Sequence, residues 1–547
     1  MKKNIYQILL VVTTILLVVS CAKSETGSSG SGTTDGGTGV GVELEVTKFE
    51  MKKPNSNSYN ITLTVDKNNK RISYNSLLQI DVTRLTPYFT VLAANNGKPI
   101  EYTLKADDTV LKNGETILDM RLPKKLTLSA TVDGKAYSKE YSLAVNHLDT
   151  GLPVVYFDTN SGGAINTKDY YADCTIVIDG RGQYENMPLT PIVAKGRGNV
   201  SWTRFLKKSY VFKFEKRTEV MGMPKHKRWS FIGNYRDKTL MRNMVSMELG
   251  KCTDLKWNPR YVQTELVYNG KHMGTYMISE LIRIDKNRVD INEMTPEQTT
   301  LPDISGGYIL EWEQYADDEK YMEVMPRTGK QLYVKIPNLE DGNQAQFDYI
   351  IGYMKTIEEL LYQASKAKEG PEREAKFVDI FNKYIDVGSF VDTWMVYEIS
   401  GTSDFSVPRS HHMYKDKDDP KIYAGPLWDF DMGTFIPGHQ SKWVNRDATW
   451  YKYLFTSSTF KSHVKKHWYK HKEGFYKVLN FIDEQQRYLR ESAQINWQIT
   501  DLKKTNESSN GDEYIPSDEA IERMRTSLKN KLDYMESRIK NYKDLEE

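Results

Sequence analysis

Alternation of apolar and polar positions predicts a β-rich N-terminal part. In the segment NITLTVD, Ile61 and Leu63 alternate with polar residues, which indicates a strand with one buried face. A second alternating run, LTLSATV, leads directly into Asp133-Gly134, a pair typical of a two-residue hairpin turn. Short strands at this spacing over residues 42–148 predict an immunoglobulin-like sandwich, for which we expect a spacer or binding role.

The pattern changes after residue 152, where strands and polar turns are mixed as far as about residue 335, and helices dominate beyond that point. The last helix has apolar residues three and four apart, and Ser517 stands where an N-cap is expected. These apolar positions are Ile521, Met524, Leu528, Leu532, Met535 and Ile539. Strands followed by helices predict a two-lobed α+β enzyme over residues 152–545.

The N-terminus has the features of a bacterial lipoprotein signal. A basic start, MKK, precedes an apolar run from Ile8 to Val19 that is shorter than the ~20 residues of a membrane span. The run ends in LVVSC, which resembles a lipobox, so we predict a signal peptide over residues 1–20 and lipid on Cys21. A plain uncleaved anchor is the alternative. Ala22 follows the cysteine, and this favours the outer membrane or cell surface.

A Gly/Ser-rich stretch over residues 21–41 predicts a flexible tether between membrane and folded domains. The chain has 75 basic and 73 acidic residues, so its charge gives no indication of nucleic-acid binding. Beyond Cys21 only Cys174 and Cys252 remain, which excludes a disulfide scaffold. With no CxxC pair and no evident Cys/His cluster at ligand spacing, we expect no structural zinc site.

The segment AGPLWDFDMGTF places Asp429 and Asp431 two residues apart in an aromatic, apolar run. Burying unpaired negative charge there costs several kcal/mol. A cation should therefore meet these carboxylates. A Lys or Arg partner and a metal ion carrying phosphates are both consistent with this segment.

Another polar segment, KGRGNVSW, spans residues 195–202 and precedes LKKSYVFKF. Its glycines let backbone amides approach an anion, and the lysines and arginine supply positive charge. This composition suits a phosphate cradle, although it matches neither a Walker loop nor GxGxxG. An ordinary glycine turn between strands is the alternative.

Three further polar segments follow along the chain. Asp237 is placed to cap a helix that runs to about Leu249 and carries Glu248. Two apolar strands joined by an Asn269-Gly270 turn end at Glu280, and Asp404 lies on a later loop.

Taken in order, KGRGN.SW, KKSY..KF, W.F..NYRDKTLMRN, YNG...GTY...E, SD and P.WDFD.G resemble the motifs of the spore-coat H (CotH) kinase family, over residues 152–545. The resemblance implies an atypical protein kinase of two lobes. Such an enzyme uses ATP with Mg²⁺ or Mn²⁺ and transfers phosphate to Ser or Thr of a protein substrate.

The resemblance also implies residue roles. Asp404 would orient or deprotonate the acceptor hydroxyl, and Asp429 with Asp431 would hold the metal ion, one of them alternatively bracing Arg242 or a lysine. The remaining residues implied at the nucleotide site are Arg197, Asn199, Lys208, Lys213, Glu248 and Glu280. Among these, Glu248 is expected to pair with a strand lysine and Glu280 to lie at a hinge.

One departure from the protein-kinase pattern supports a second hypothesis. Kinases carry a metal-binding Asn five residues after the catalytic Asp, where this chain has Arg409 followed by Ser410. ATP is also scarce outside the inner membrane. A kinase-like scaffold that binds glycans or proteins is therefore the alternative function. The neighbouring His411 and His412 point to opposite faces of a strand, which favours surface or packing roles.

Overall fold

The computed structural model describes residues 41–54, 60–315, 319–500 and 510–540. The predicted signal peptide, the lipidation at Cys21 and nearly all of the predicted tether lie outside the described residues. Within those ranges, none of the helices has the length and apolar composition that a membrane span requires. The protein has several β-sheets, with helices concentrated in its C-terminal part.

The N-terminal unit is a nine-stranded sheet in the order β5-β4-β1-β2-β3-β9-β8-β6-β7. Strands β3 and β9 pair in parallel, and the other neighbours are antiparallel. The strands are β1 (Val42–Lys52), β2 (Asn60–Asp66), β3 (Arg71–Ser76), β4 (Thr86–Asn95), β5 (Lys98–Pro99), β6 (Thr103–Ala106), β7 (Thr109–Val110), β8 (Lys124–Val132) and β9 (Lys135–His147).

The alternation in this unit is as predicted. Ile61 and Leu63 are 3% and 4% exposed, whereas the alternating Asn60, Thr62 and Thr64 face solvent. Asp133 and Gly134 both have positive φ, 50° and 74°, and close the β8–β9 hairpin as a two-residue turn. The core of the unit is continuous with Tyr156 and other residues of the next domain, so the two pack together.

A closed seven-stranded barrel follows, in the order β10-β11-β12-β13-β14-β16-β15. It closes through the parallel pair β10–β15, and aromatic side chains such as Phe157, Phe212 and Phe231 fill it. The strands are β10 (Val154–Thr159), β11 (Ala172–Asp179), β12 (Met187–Arg197), β13 (Ser209–Val220), β14 (Met223–Ile232), β15 (Tyr261–Tyr268) and β16 (Lys271–Glu280). The Asn269-Gly270 turn joins β15 and β16 as predicted, again with both φ angles positive.

Two helices interrupt the barrel strands. Helix α1 (Val200–Arg204) lies between β12 and β13, and α2 (Arg242–Lys251) lies between β14 and β15. Asp237 does not occupy the N-cap position, which belongs to Met241. Its carboxylate nevertheless accepts a hydrogen bond from the Arg242 amide at 2.8 Å, so it satisfies one of the free N–H groups that begin α2.

A five-stranded antiparallel sheet, in the order β18-β19-β17-β20-β21, faces the barrel across the main cavity. The strands are β17 (Tyr308–Trp312), β18 (Tyr321–Val324), β19 (Gln331–Ile336), β20 (His411–Lys415) and β21 (Ile422–Ala424). The helices that pack around this sheet are α3 (Gln344–Lys366), α4 (Pro371–Lys383), α5 (Val387–Ser400), α6 (Tyr451–Leu454), α7 (Ser458–Ile499) and α8 (Ser517–Lys540).

Helix α8 confirms the strongest helical prediction. All six apolar positions of its stripe are at most 4% exposed and join the largest hydrophobic core. Ser517 is the first residue of the helix, and its hydroxyl donates to the Lys238 carbonyl at 2.9 Å. Helix α8 packs along α7, which spans 42 residues and also contacts α2, α5 and β16.

Candidate functional site

The main cavity has a volume of ≈390 Å³ and lies between the barrel and the five-stranded sheet. Binding sites for small molecules commonly fall between 300 and 1,000 Å³. Its walls come from the segment around α1, from β17 and β19, and from two loops, 402–410 and 428–432. The predicted residues that line it are Arg197, Asn199, Asp404, Asp429 and Asp431.

Two glycines shape the α1 side of the cavity. Gly198 has φ of +97°, and a Cβ there would lie 1.9 Å from Ser201 Oγ. A Cβ on Gly196 would lie 2.4 Å from the Trp202 ring. Both positions therefore require glycine, for backbone conformation and for packing. This allows Trp202 to pack beside β12 while Arg197 projects into the cavity.

The loop that carries Asp429 and Asp431 is held by polar contacts on both sides. The Tyr397 hydroxyl hydrogen-bonds with the Trp428 backbone at 3.1 and 3.3 Å, and Asn243 Oδ1 accepts from the Phe430 amide at 2.8 Å. Asp429 itself has φ of 67°, in the left-handed region that costs energy for a residue with a side chain. These contacts hold that conformation and aim its carboxylate into the cavity.

Arg242 braces the next part of the same loop. Its Nε donates to the Thr434 carbonyl at 2.9 Å, and its Nη atoms pair with Asp237 and Asp512, each at 2.5 Å. The three side chains are at most 1% exposed. The hypothesis that an aspartate of WDFD braces Arg242 is therefore wrong, because Arg242 pairs with Asp237 and Asp512 instead. The motif NYRDKTLMRN acts as the support of this loop.

The carboxylates of the cavity repel one another. Asp431 lies deep among protein atoms near Asp429, Asp237 and Asp404, and these effects raise its pKa to about 8. Asp404 is also largely buried, and this burial together with the charge of Asp429 raises the pKa of Asp404 to about 6, although Arg409 lowers it in part. The surrounding protein atoms also raise the pKa of Asp429, although its side chain is open to the cavity, and Arg197 opposes the shift. Three mutually repelling carboxylates, Asp404, Asp429 and Asp431, are thus clustered in the cavity, and Asp429 is accessible from it.

This clustering of carboxylates, each with a raised pKa, is the observation that fits a bound cation. Carboxylate oxygens are the ligands that Mg²⁺ and Mn²⁺ prefer. Asp429 and Asp431 are the side chains that would hold the ion, and Ser410 Oγ donates to Asp429 Oδ2 at 3.3 Å beside them.

Positive side chains line the rest of the cavity. The Arg197 guanidinium lies over the Trp428 ring, 5.3 Å from its centroid. Its positive charge is attracted by the carboxylates of Asp429, Asp431 and Glu311. Arg236 is 9% exposed and lies 4.9 Å from the Phe205 ring, near the charges of Asp431 and Asp404. Arginine suits the fork-like recognition of phosphate oxygens.

Sequence reasoning missed an ion-pair network on the sheet wall. Glu311 on β17 contacts Lys335 at 3.1 Å, Lys320 at 2.9 Å and His412 at 3.2 Å. Burial lowers the pKa of Lys335 to about 8, although Glu311 opposes the shift. A signal did exist, because YILEW and QLYVKI each hold one charged residue in an apolar strand, where charge is rarely unpaired.

The two histidines of β20 are both buried, so a surface role for either is wrong. His412 is part of the Glu311 network and lies 3.0 Å from Lys335 Nζ. His411 packs against the Phe405 ring, with the ring centroids 4.2 Å apart.

Asp404 is closely paired with the residue that departs from the kinase pattern. Arg409 Nη1 donates to Asp404 Oδ1 at 3.1 Å, and the Arg409 guanidinium lies 5.0 Å from the Tyr315 ring. Both Asp404 and Arg409 line the cavity. A cation therefore lies beside the proposed base.

Four residues predicted at the site do not line the cavity. The Lys208 ammonium donates to the Trp202 carbonyl, and Lys213 lies within β13, paired with Val193 and Arg228 in the sheet. Glu248 accepts from Lys251 and from the Tyr261 hydroxyl, so it does not pair with a strand lysine.

Glu280 is the fourth of these residues. Arg260 donates two hydrogen bonds to its carboxylate, each at 2.9 Å. The neighbouring Ser279 lines the cavity, and Glu280 lies on the opposite face of β16. The basic residues that do line the cavity are Arg197, Arg204, Arg236, Lys320, Lys335 and Arg409.

Comparison with known families agrees with this geometry. The family model described as CotH kinase protein matches residues 194–541, which is more than half of the chain, and the chain belongs to this family. The match begins on β12, just before the Arg197 segment, and ends after α8. A search of curated proteins gave no match.

Proposed function

We propose that the protein is a cell-envelope lipoprotein that transfers the γ-phosphate of ATP to Ser or Thr of a protein, with a divalent metal ion. The observation that carries the proposal is the convergence of Asp404, Asp429 and Asp431 on one cavity opposite Arg197. Phosphoryl transfer needs cations on the phosphates, carboxylates for the metal and a carboxylate at the attacking hydroxyl. Family membership supports a kinase-like function.

Residues of the cavity divide between these tasks. Asp429 and Asp431 would hold the metal ion, which would neutralise phosphate charge, while ATP would supply the phosphoryl group. Arg197 and Arg236 bind phosphate oxygens from the α1 side, and Lys335 binds them from β19. Glu311 keeps Lys335 in place, since the two are 3.1 Å apart in a largely buried pair.

Asp404 acts on the acceptor. Its carboxylate accepts a hydrogen bond from the Ser or Thr hydroxyl and takes the proton as the oxygen forms its bond to phosphorus; ADP leaves. A pKa of about 6 suits this task, because the carboxylate is mostly ionised at neutral pH and still basic enough to take a proton.

The same proposal includes the parts of the chain around the site. The barrel with α1 and α2 forms the first kinase-like lobe, and the five-stranded sheet with α3–α8 forms the second. The nine-stranded N-terminal unit serves as an immunoglobulin-like spacer or binding module. Lipid on Cys21 anchors the chain to the outer membrane, since two or three acyl chains give durable attachment.

The direct test is a transfer assay. The purified chain is incubated with γ-labelled ATP and Mg²⁺ or Mn²⁺, with itself and an envelope extract as acceptors. We expect label on protein, and Asp404→Asn and Asp429→Asn should remove nearly all of it. Asp483→Asn is the matched control, because Asp483 lies on the surface of α7 and pairs with Arg525. No label in any acceptor would contradict the proposal.

One observation favours a second candidate function, a kinase-like scaffold that binds partners without catalysis. Arg409 occupies the place of the metal-binding Asn of protein kinases and forms an ion pair with Asp404, with Nη1 and Oδ1 3.1 Å apart. A thermal-shift experiment with ATP and Mn²⁺ separates the two. Stabilisation of the wild type that is lost in Asp429→Ala contradicts a pure scaffold, whereas no shift in either protein supports it.

A further inference from the structure

Four side chains of the types that bind metal ions meet outside the lining of the main cavity. His467 and His471 lie one turn apart on α7, Asp392 lies on α5, and Asp254 lies in the loop that joins α2 to β15. One ligand atom from each falls within 4.8 Å of every other. We propose that these four residues form a divalent metal site, of the kind that holds Zn²⁺ with two imidazoles and two carboxylates.

The distances are close to those of a tetrahedral site. His471 Nε2 lies 3.5 Å from Asp254 Oδ2 and 3.7 Å from Asp392 Oδ1, and His467 Nδ1 lies 2.7 Å from Asp392 Oδ1. Zinc bonds of about 2.0–2.2 Å place neighbouring ligand atoms roughly 3.3 Å apart. The three separations above, 2.7, 3.5 and 3.7 Å, lie on both sides of this value.

The histidine that faces the centre has an unused nitrogen. His471 is 7% exposed, and its Nε2 has no hydrogen-bond partner although it points at the two carboxylates. Buried polar atoms are normally hydrogen-bonded, so an unpaired one calls for an explanation.

The two carboxylates are oriented by contacts with their neighbours. Asp392 is fully buried, and its Oδ2 accepts from the Asp254 amide at 2.9 Å, which orients it as outer contacts orient metal ligands. Burying a carboxylate is costly unless a cation pairs with it. Asp254 is exposed and also contacts the Lys470 ammonium, so an ion can reach the centre from solvent and would share Asp254 with that lysine.

The choice of ion follows from the ligand set. Imidazole nitrogen disfavours Mg²⁺ and Ca²⁺, which take oxygen ligands, and suits Zn²⁺. The sequence-based expectation of no structural zinc site considered cysteines and overlooked the HxxxH spacing of His467 and His471. Two histidines four apart share one face of a helix.

The site would cross-link the barrel connection to the helical domain. The loop of Asp254 follows α2, whose first residues support the Asp429 loop, and α5 leads directly to the loop of Asp404. A bound ion would therefore fix both supports of the main cavity at their far ends. This inference does not depend on the proposed phosphotransferase activity.

The test is cobalt and zinc binding by the whole purified chain after chelation and dialysis. We expect about one Co²⁺ per chain with the strong visible absorption of tetrahedral cobalt, displaced by Zn²⁺, and an increase in melting temperature. His467→Gln, His471→Gln and Asp254→Asn should each lose the absorption and the shift. Asp254 is exposed, so its variant will keep the fold even if a buried histidine variant does not.

Two matched variants control for other binding. His463→Gln changes the histidine one turn earlier on α7, outside the four ligands, and Asp429→Asn removes the metal ligand of the main cavity. Both should keep the cobalt spectrum. Absence of cobalt binding, or a spectrum unchanged in Asp254→Asn and His467→Gln, would show that the four residues form only a hydrogen-bonded network and would overturn the proposal.

Discussion

Arg409 Nη1 donates a hydrogen bond to Asp404 Oδ1 at 3.1 Å, so the only acidic residue of the 402–410 loop forms an ion pair with an arginine of the same loop. The pair has a direct consequence for the pH dependence of transfer. Burial and Asp429 raise the pKa of Asp404 to about 6, and Arg409 lowers it in part. A base must be ionised to take a proton, so the rate should fall as the pH drops through about 6.

In Arg409→Gln the lowering effect is lost, the pKa of Asp404 rises, and the acid limb of the rate should move to higher pH. The measurement is the pH profile of kcat/KM for labelled transfer. A limb that stays in place, or moves to lower pH, would show that Asp404 is not the group that titrates.

The raised pKa of Asp431 predicts a pH-dependent stability of the metal-free protein. Its pKa is about 8 in the folded chain and near 3.8 when unfolded, so the folded state binds the proton more tightly. The resulting stability is complete below about pH 3.8 and is lost as the pH rises through about 8. In EDTA, the melting temperature should therefore fall between pH 5 and 8 by on the order of a few degrees.

Asp431→Asn removes this titration and should be the more stable protein at pH 8 in EDTA, while Mn²⁺ added without EDTA should stabilise the wild type more than the variant. Differential scanning calorimetry across the pH range checks both. A variant whose melting temperature follows the wild type at every pH would refute the electrostatic argument.

Arg242 should be essential for folding stability. Arg242→Met leaves Asp237 and Asp512 buried without their shared partner, and losing one member of a buried pair costs about 3–5 kcal/mol. Arg525→Ala breaks a partly exposed pair with Asp483 and should cost about 0–1 kcal/mol. Urea unfolding of both variants gives the comparison, and equal losses would mean that Arg242 does not brace the loop.

Lys335 should contribute to nucleotide affinity and Lys208 should not. Lys335 lines the cavity, whereas the Lys208 ammonium donates to the Trp202 carbonyl. Lys335→Met leaves Glu311 paired with Lys320 and His412, so the fold is retained while the affinity for ATP falls on the order of tenfold. Lys208→Ala should match the wild type. The reverse ranking would restore the sequence-based assignment.

Local patterns predicted local structure well. The Asp133-Gly134 and Asn269-Gly270 turns and the α8 stripe are decided by residues close together in the chain. For the same reason Asp429 and Asp431 were identified, since an Asp in an apolar run needs a cation wherever the run lies. Asp404 was singled out only through the resemblance to the CotH kinase motifs.

Features that depend on distant contacts were not predicted. Closure of the barrel rests on β10 pairing with β15, more than a hundred residues apart, and no local pattern specifies that pairing. The lysines that line the cavity were likewise not predicted: Lys208 and Lys213 lie near the glycine segment in sequence but do not line the cavity, whereas Lys335 reaches it because β19 pairs with β17. Glu311 and Lys335 form an ion pair because of the register in which β17 and β19 pair, and this register cannot be read from the local sequence of either strand.

Equilibrium binding tests the central claim most directly. Titration calorimetry of the whole chain with ATP, with and without Mn²⁺, should show about one nucleotide per chain that binds tightly only when the metal is present. Asp429→Asn should abolish the metal dependence, and Asp483→Asn should leave it unchanged. If the wild type binds no ATP, or if Asp429→Asn binds ATP and Mn²⁺ as the wild type does, the cavity is not a metal–nucleotide site.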